Sequence, residues 1–412
     1  MRTLLLVLAV FLAPAALAQP AAPDAPPDAY GEAEAHLEAG TDADLRAAVR
    51  LYRQAIAQDS AFAPAYLGLG RAYDDGVWNH DWDRALLDSV YWAGWQAVHH
   101  DPHFTDAYEW LAFVYRSEIN HSMTRQLLAS GVAHNPDAPT LLTLLGRNYF
   151  DTGDCGMARP FLERALELGP VPLTYRYLGW CHFYLRQPEP QEEYFRQYIE
   201  LEPTNDQGLG GYVWAYTLQG RHDEAIAVAQ DILDRNEGHP RYHRNLLTNL
   251  AEAHLFAGRD AEAQRLYEEV LANVDVGINQ FSARVATTTL GHLYWQAGRR
   301  DEARALLQRS LDHERANIAK VAADTGIEIP ERWEFAYGIA SAHAAQEEFG
   351  EAYRWLFRAV MAGYPGHMAF TDPVLAGMYD DPAYRLLMRR AQMRIESTWA
   401  AAEGLTPADL RD

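Results

Sequence analysis

The stretch LGRNYFDTGDCGMA, residues 145–158, decides the fold. Gly146 follows Leu145, a ring (Tyr149) comes three residues after Gly146, Gly153 interrupts, and Ala158 comes twelve residues after Gly146. The beginning of this unit reappears as Leu178-Gly179 with His182 three residues on. Aligned on the Gly146 position, the successive anchors are Gly70, Ala112, Gly146, Gly179, Val213, Ala251, Gly291 and Ala340. Each is preceded by Leu, Tyr or Ile and followed three positions later by Tyr or His: Tyr73, Tyr115, Tyr149, His182, Tyr216, His254, Tyr294 and His343. A second small residue stands twelve positions past the later anchors, as Ala158, Ala225, Ala263, Ala303 and Ala352.

The physical reason for such a pattern is close helix contact. A small residue on each of two helices lets the backbones approach, while the Leu and the ring, one turn apart, fill the space beside them. Each unit is then a helical hairpin. Gly153, Gly220, Gly258 and Gly298 mark the turns, where a helix C-terminus takes the left-handed conformation. Asp223-Glu224 and Asp301-Glu302 put negative charge on the exposed amides that open the second helix. Pro102, Pro136, Pro170 and Pro203 separate one hairpin from the next.

These residues resemble the tetratricopeptide repeat family over roughly residues 43 to 363. The resemblance implies an all-α fold, a right-handed α-solenoid of helical hairpins closed by a C-terminal helical cap. About nine units are expected across residues 30–363, the first a degenerate one. Anchor spacings of 42, 34, 33, 34, 38, 40 and 49 place extra residues at both ends. The first excess is expected around Val77 to Asp83, between two helices. The last is expected in a second helix running to about Ala323 and a connector from Gly326 to Pro330. Residues 364–412 read as short capping helices and a tail. They are similar to the ends of repeat arrays fused to bacterial serine/threonine kinases and adenylate cyclases, without the enzymatic domain.

The chain opens with an export signal at residues 1–18: Arg2, an apolar run from Leu4 to Leu12, and Ala16-Leu17-Ala18 before cleavage at Gln19. A Pro/Ala-rich linker is expected at 19–29. The expected location is periplasmic or extracellular, with no membrane insertion after cleavage, because the apolar run is too short to span a bilayer. Cys155 and Cys181 can be read as a disulfide, which an oxidising compartment permits, or as two small buried thiols. A net charge of −22 makes nucleic acid a poor partner.

No catalytic residues, metal ligands or cofactors are expected. Lys320 is the only lysine, so a Gly-Lys phosphate loop cannot be built, and the zincin and nucleophile-elbow motifs are missing. His99, His100 and His103 cluster around Pro102, which interrupts any helix that would align them. His182, His254 and His343 occupy core ring positions.

What remains is the surface. In such arrays the first helices line the concave wall, and positions on one helix face can be read off each anchor. They give Arg71, Phe113, Arg116, Arg147, Phe150, Arg176, Trp180, Phe183, Tyr184, Trp214, His292 and Trp295 as candidate partner-binding residues. The rings are expected to meet solvent and serve as anchors, and the arginines to grip acidic side chains or a C-terminal carboxylate. The expected function is an exported non-enzymatic scaffold that binds an extended polypeptide or partner protein. The alternative is a glycan-binding protein or enzyme on the same wall, for which Glu109, Asp151 and Glu252 are scattered singly. Trp78 and Trp82 form a second candidate contact.

Overall fold

The computed structural model describes residues 28–117, 120–169, 171–203, 208–235, 240–272, 281–325, 333–366, 368 and 371–410. The expected export signal at residues 1–18, Pro170 and the expected connector at 326–330 lie outside these residues. All described secondary structure is helical, with no strand among the described residues. The protein is an all-α solenoid of helical hairpins. It divides into two compact units between Leu111 and Ala112.

The N-terminal unit contains α1 (Asp28–Ala39), α2 (Asp42–Gln58), α3 (Ala63–Asn79) and α4 (Leu87–His100). Helix α1 thus begins inside the expected linker. It pairs with α2, where the Tyr52 hydroxyl donates to Glu34 at 2.6 Å. Thr41 caps α2 by accepting from the Asp44 amide at 3.2 Å. Helix α3 continues through Val77 and Trp78, so the inserted residues lengthen a helix before they form a loop. Trp82 folds back: its indole donates to Asp42 at 2.5 Å, and Arg46 lies 4.7 Å over the ring. Trp78 stays half-exposed under Arg84, 4.9 Å away. His100 stacks on Tyr66 at 5.0 Å, and no metal-holding group of His, Cys, Asp or Glu occurs among the described residues. Helix α5 (Thr105–Ser117) spans the division between the units.

In the C-terminal unit, α6 (His121–His134) precedes six hairpins. These are α7 (Pro139–Asp151) with α8 (Cys155–Leu168), α9 (Pro172–Tyr184) with α10 (Pro188–Leu201), and α11 (Leu209–Leu218) with α12 (His222–Arg235). Then come α13 (Pro240–Phe256) with α14 (Asp260–Ala272), α15 (Phe281–Gln296) with α16 (Arg300–Thr325), and α17 (Trp333–Ala344) with α18 (Phe349–Met361).

The anchor rule holds at the atomic level. A Cβ on Gly146 would come within 2.7 Å of Leu162, and one on Gly179 within 2.8 Å of Phe195. Leu111, Leu145, Leu178, Leu250, Leu290 and Ile339, just before their anchors, are all buried. The carbonyl of the ring residue closes each turn: Tyr149 accepts from Asp154 at 2.9 Å, His182 from Gln187 at 2.9 Å, and His343 from Glu348 at 3.0 Å. Gly153, Gly220, Gly258 and Gly298 take positive φ at those turns, as the sequence suggests. The α9–α10 and α17–α18 turns use Arg186 and Glu347 in the same conformation, with φ of 56° and 63°. A side chain there carries a steric cost that glycine avoids.

After α18 the chain makes a 3-10 turn at Pro373–Met378, capped by Asp372, and then α19 (Pro382–Ala401). The expected short cap is instead a 20-residue helix. Its Tyr384, Leu387, Met388 and Ala391 complete the core that runs through α11–α18, whereas Ile395 enters a second core built by α8 and α9. No described helix is long and apolar enough to cross a membrane.

Candidate functional site

Arg147 and Arg176, from successive first helices, lie on one ring, and the charge of Arg116 from the preceding first helix acts on Arg147. Arg116 ends α5, Arg147 lies in α7 and Arg176 in α9, and the repeat stacks these helices side by side. The ring is that of Tyr177, itself buried. The Arg147 guanidinium lies 5.5 Å from its ring centroid and that of Arg176 lies 4.8 Å away. Arg176 also donates to the Tyr177 hydroxyl at 3.0 Å. Burial pushes the Tyr177 phenol above its ordinary pKa, while Arg176, Arg147 and Arg116 all pull it back down.

Asp151 lies 3.5 Å from Arg147. Burial, and then the neighbouring Arg147 guanidinium, lower the pKa of Arg116 below its usual value. Guanidinium groups in partly buried positions interact with charge more strongly than in open water. Phe113 and Phe150 flank the cluster. Phe113 is 53% exposed, with Arg116 5.6 Å from its ring. Phe150 is half-buried and rests on Tyr177 at 5.3 Å and Tyr184 at 5.1 Å. In chemical terms the arrangement is a cationic wall with an apolar edge, suited to a carboxylate beside an apolar group.

The remaining candidates fall elsewhere. Phe183, Tyr184 and Trp214, expected to face solvent, are buried. Phe183 packs on Trp214 at 5.5 Å and Trp214 on Phe256 at 4.4 Å. The α19 side chain of Gln392 reaches the Tyr184 carbonyl at 3.2 Å. These rings are sealed because the next first helices and the returning C-terminal helix cover them. Trp180 is half-buried and turns edge-on to Phe183 and to Phe195 of α10, at 5.3 and 5.2 Å. Arg71 belongs to the N-terminal unit, where its charge acts on Tyr30 and Tyr52. His292 is half-buried, and burial lowers its pKa. Trp295 lies under Arg300 of the following helix at 4.0 Å.

One pairing escaped the sequence. Glu252, on the wall of α13, is joined by Asp372 from the C-terminal cap. Asp372 is buried and accepts from the Tyr337 hydroxyl at 2.5 Å and the Val374 amide at 2.9 Å. Burial, then the Asp372 charge, pushes the Glu252 carboxyl up to about 8, against a hydrogen bond from Trp214 that lowers it. Asp372 sits outside the repeat register, so no spacing could have placed it. A small remaining exposed surface leaves Glu252 recessed rather than sealed.

Tetratricopeptide repeat models match residues 192–249, 242–316 and 288–367. No curated protein matches the chain. Among solved structures, a monomeric mutant of IFIT1 with Gppp-AAAA is 12% identical, covers 79% of this chain and 79% of its own, and gives a TM-score of 0.46. A tetratricopeptide repeat protein from Parabacteroides merdae is 12% identical over 79% of this chain and 99% of its own, with a TM-score of 0.39. YrrB, described as a tetratricopeptide repeat protein with an unusual peptide-binding site, is 16% identical over 46% of this chain and 95% of its own, with a TM-score of 0.35.

Proposed function

We propose that this tetratricopeptide repeat protein is an exported, non-enzymatic scaffold whose wall of first helices binds an extended polypeptide through an acidic side chain or terminal carboxylate. The repeat fold itself supports a protein-binding role. The observation that carries the finer reading is the placement of Arg147 and Arg176 on the ring of Tyr177, with Arg116 over the neighbouring ring of Phe113. Planar guanidinium groups pair two carboxylate oxygens at once. Phe113 supplies an exposed ring for the apolar residue beside that carboxylate, and Phe150 the floor beneath it. Phe183, Tyr184 and Trp214 support the wall from behind and do not touch the ligand.

The test is selection from a random peptide library displayed with free C-termini. Enrichment of acidic residues next to apolar ones supports the reading, and an unbiased or basic selection contradicts it. Export is read from residues 1–18, and fractionation of cells expressing the full chain checks it through cleavage before Gln19.

A glycan-binding or enzymatic site has one point in its favour, the Glu252 carboxyl with Asp372 behind it and Trp214 beside it. Asp372 is already hydrogen-bonded and closed off from solvent, which favours the peptide reading.

A further inference from the structure

The chain holds two cysteines, and folding brings both to one place. Cys155 is the first residue of α8, and Cys181 lies in the last turn of α9. Both are fully buried in the core that α8 and α9 share with Ile395, and here both are free thiols. The Cys155 sulfur lies close enough to hydrogen-bond the Cys181 thiol.

Repeat packing accounts for only one of them. Two positions past the anchor, where Cys181 stands, other hairpins bury Ala215, Ala253, Leu293 and Ala342. The start of the second helix, where Cys155 stands, is different. There the five later hairpins carry Pro188, His222, Asp260, Arg300 and Phe349, all half-buried or exposed. Cys155 is thus a small buried thiol at a position that in those hairpins meets solvent, and it lies beside the chain's one other cysteine.

We infer that Cys155 and Cys181 form a disulfide that staples the α7–α8 hairpin to the α9–α10 hairpin. These hairpins carry Arg147 and Tyr177, so the bond fixes the two sides of that contact relative to each other. It forms by thiol–disulfide exchange with a donor disulfide. One cysteine thiolate attacks a donor sulfur and displaces the first donor thiol, and the other cysteine then attacks the mixed disulfide and displaces the second. The protein loses two electrons and two thiol protons, and the donor disulfide gains both on becoming two thiols.

The surroundings set when this happens. Burial, the Cys155 sulfur and the charge of Asp154 all push the Cys181 thiol well above its ordinary pKa, so the attacking thiolate is scarce once the core has closed. Exchange therefore precedes the seating of Ile395 in the same core, and afterwards that burial keeps reducing thiols away from the bond. A link between residues 155 and 181 also constrains the unfolded chain, which is how such bonds stabilise a fold.

The test starts from the full chain, reduced and denatured in urea. Half is refolded into a mixture of reduced and oxidised glutathione, and half stays in urea in the same mixture. Both are then alkylated in urea, and their peptides are mapped by mass spectrometry without reduction. The inference predicts a cross-linked pair of peptides containing Cys155 and Cys181, with the ratio of linked to open chains at least about tenfold higher in the refolded protein than in urea. Two alkylated cysteines, a glutathione adduct on either one, or an equal ratio in the two solutions overturns it. If refolding fails, the same map is made on protein expressed in a host with an oxidising cytoplasm, where a linked pair supports the staple and two free thiols overturn it. The export reading enters only as the natural source of the oxidant; the experiment supplies its own, so export can fail while this result stands.

Discussion

Arg147, on the first helix of one repeat, holds its guanidinium 5.5 Å from the ring of Tyr177 on the first helix of the next. The stacking of hairpins makes that relationship: a residue just after one anchor meets a residue just before the next. Tyr177 carries no charge, so its ring orients the guanidinium, while Asp151 is the carboxylate beside it, 3.5 Å away. Arg176 on the same ring, and Arg116 from the preceding repeat, concentrate that charge.

Contact residues and supporting residues separate by how they respond to truncation. Phe113→Ala, at a half-exposed ring, changes the unfolding free energy from urea titration by no more than about 0.5 kcal/mol, as surface changes do, and weakens peptide binding. Phe183→Ala or Trp214→Ala removes a buried ring and costs about 3–5 kcal/mol in the same unfolding measurement. If Trp214→Ala leaves stability unchanged, the buried assignment of that ring fails.

The small anchor is a packing requirement. Gly179→Val drives a branched side chain into Phe195, which is fully buried and has no free direction to move. Overpacking of this kind costs about 1–3 kcal/mol, read as a lower urea midpoint at unchanged helicity.

The Glu252 carboxyl makes stability depend on pH with a definite sign. Its pKa rises from 4.5 to about 8 on folding, so between those values the folded chain holds more proton than the unfolded chain. The stability this carboxyl contributes is therefore fully present below about pH 4.5 and is lost as pH rises to about 8. Asp372, whose pKa is also raised by burial, adds a fall of the same sign that begins from a lower pH. Urea midpoints between pH 5 and pH 9 check this, and Glu252→Gln flattens the profile. A profile for Glu252→Gln as steep as that of the wild type assigns the dependence to other groups.

Much of this architecture was legible in the anchors. Gly146 and Gly179, their preceding leucines and the turn glycines each report a contact inside one repeat or with its neighbour, and such contacts recur at a fixed spacing. The arginine cluster was legible from the helix face, since Arg116 four after Ala112, Arg147 one after Gly146 and Arg176 three before Gly179 lie on one side of their helices. Phe183, Tyr184 and Trp214 were misplaced because periodicity sees which face a ring occupies and not what later covers it. Part of the cover comes from Gln392 and Ile395, which lie outside the repeat. The pairing of Asp372 with Glu252 was hidden in the same way. Arg186 and Glu347 show that a turn can keep its left-handed conformation without the glycine that would reveal it.

Binding carried by guanidinium groups weakens with salt. Raising ionic strength about tenfold shortens the screening length and lowers affinity for an acidic peptide steadily. Affinity independent of salt, measured by fluorescence anisotropy, would assign binding to the apolar edge alone.

The most direct measurement is titration of an acidic library-selected peptide against the protein and an Arg116→Ala/Arg147→Ala/Arg176→Ala variant of matched helicity. Each charge-assisted hydrogen bond contributes about 1.5–3 kcal/mol, so the variant should bind at least about a hundredfold more weakly, and lysine replacements should restore only part of the loss. Equal affinity for the two proteins would contradict the arginine wall as the place where the ligand is held.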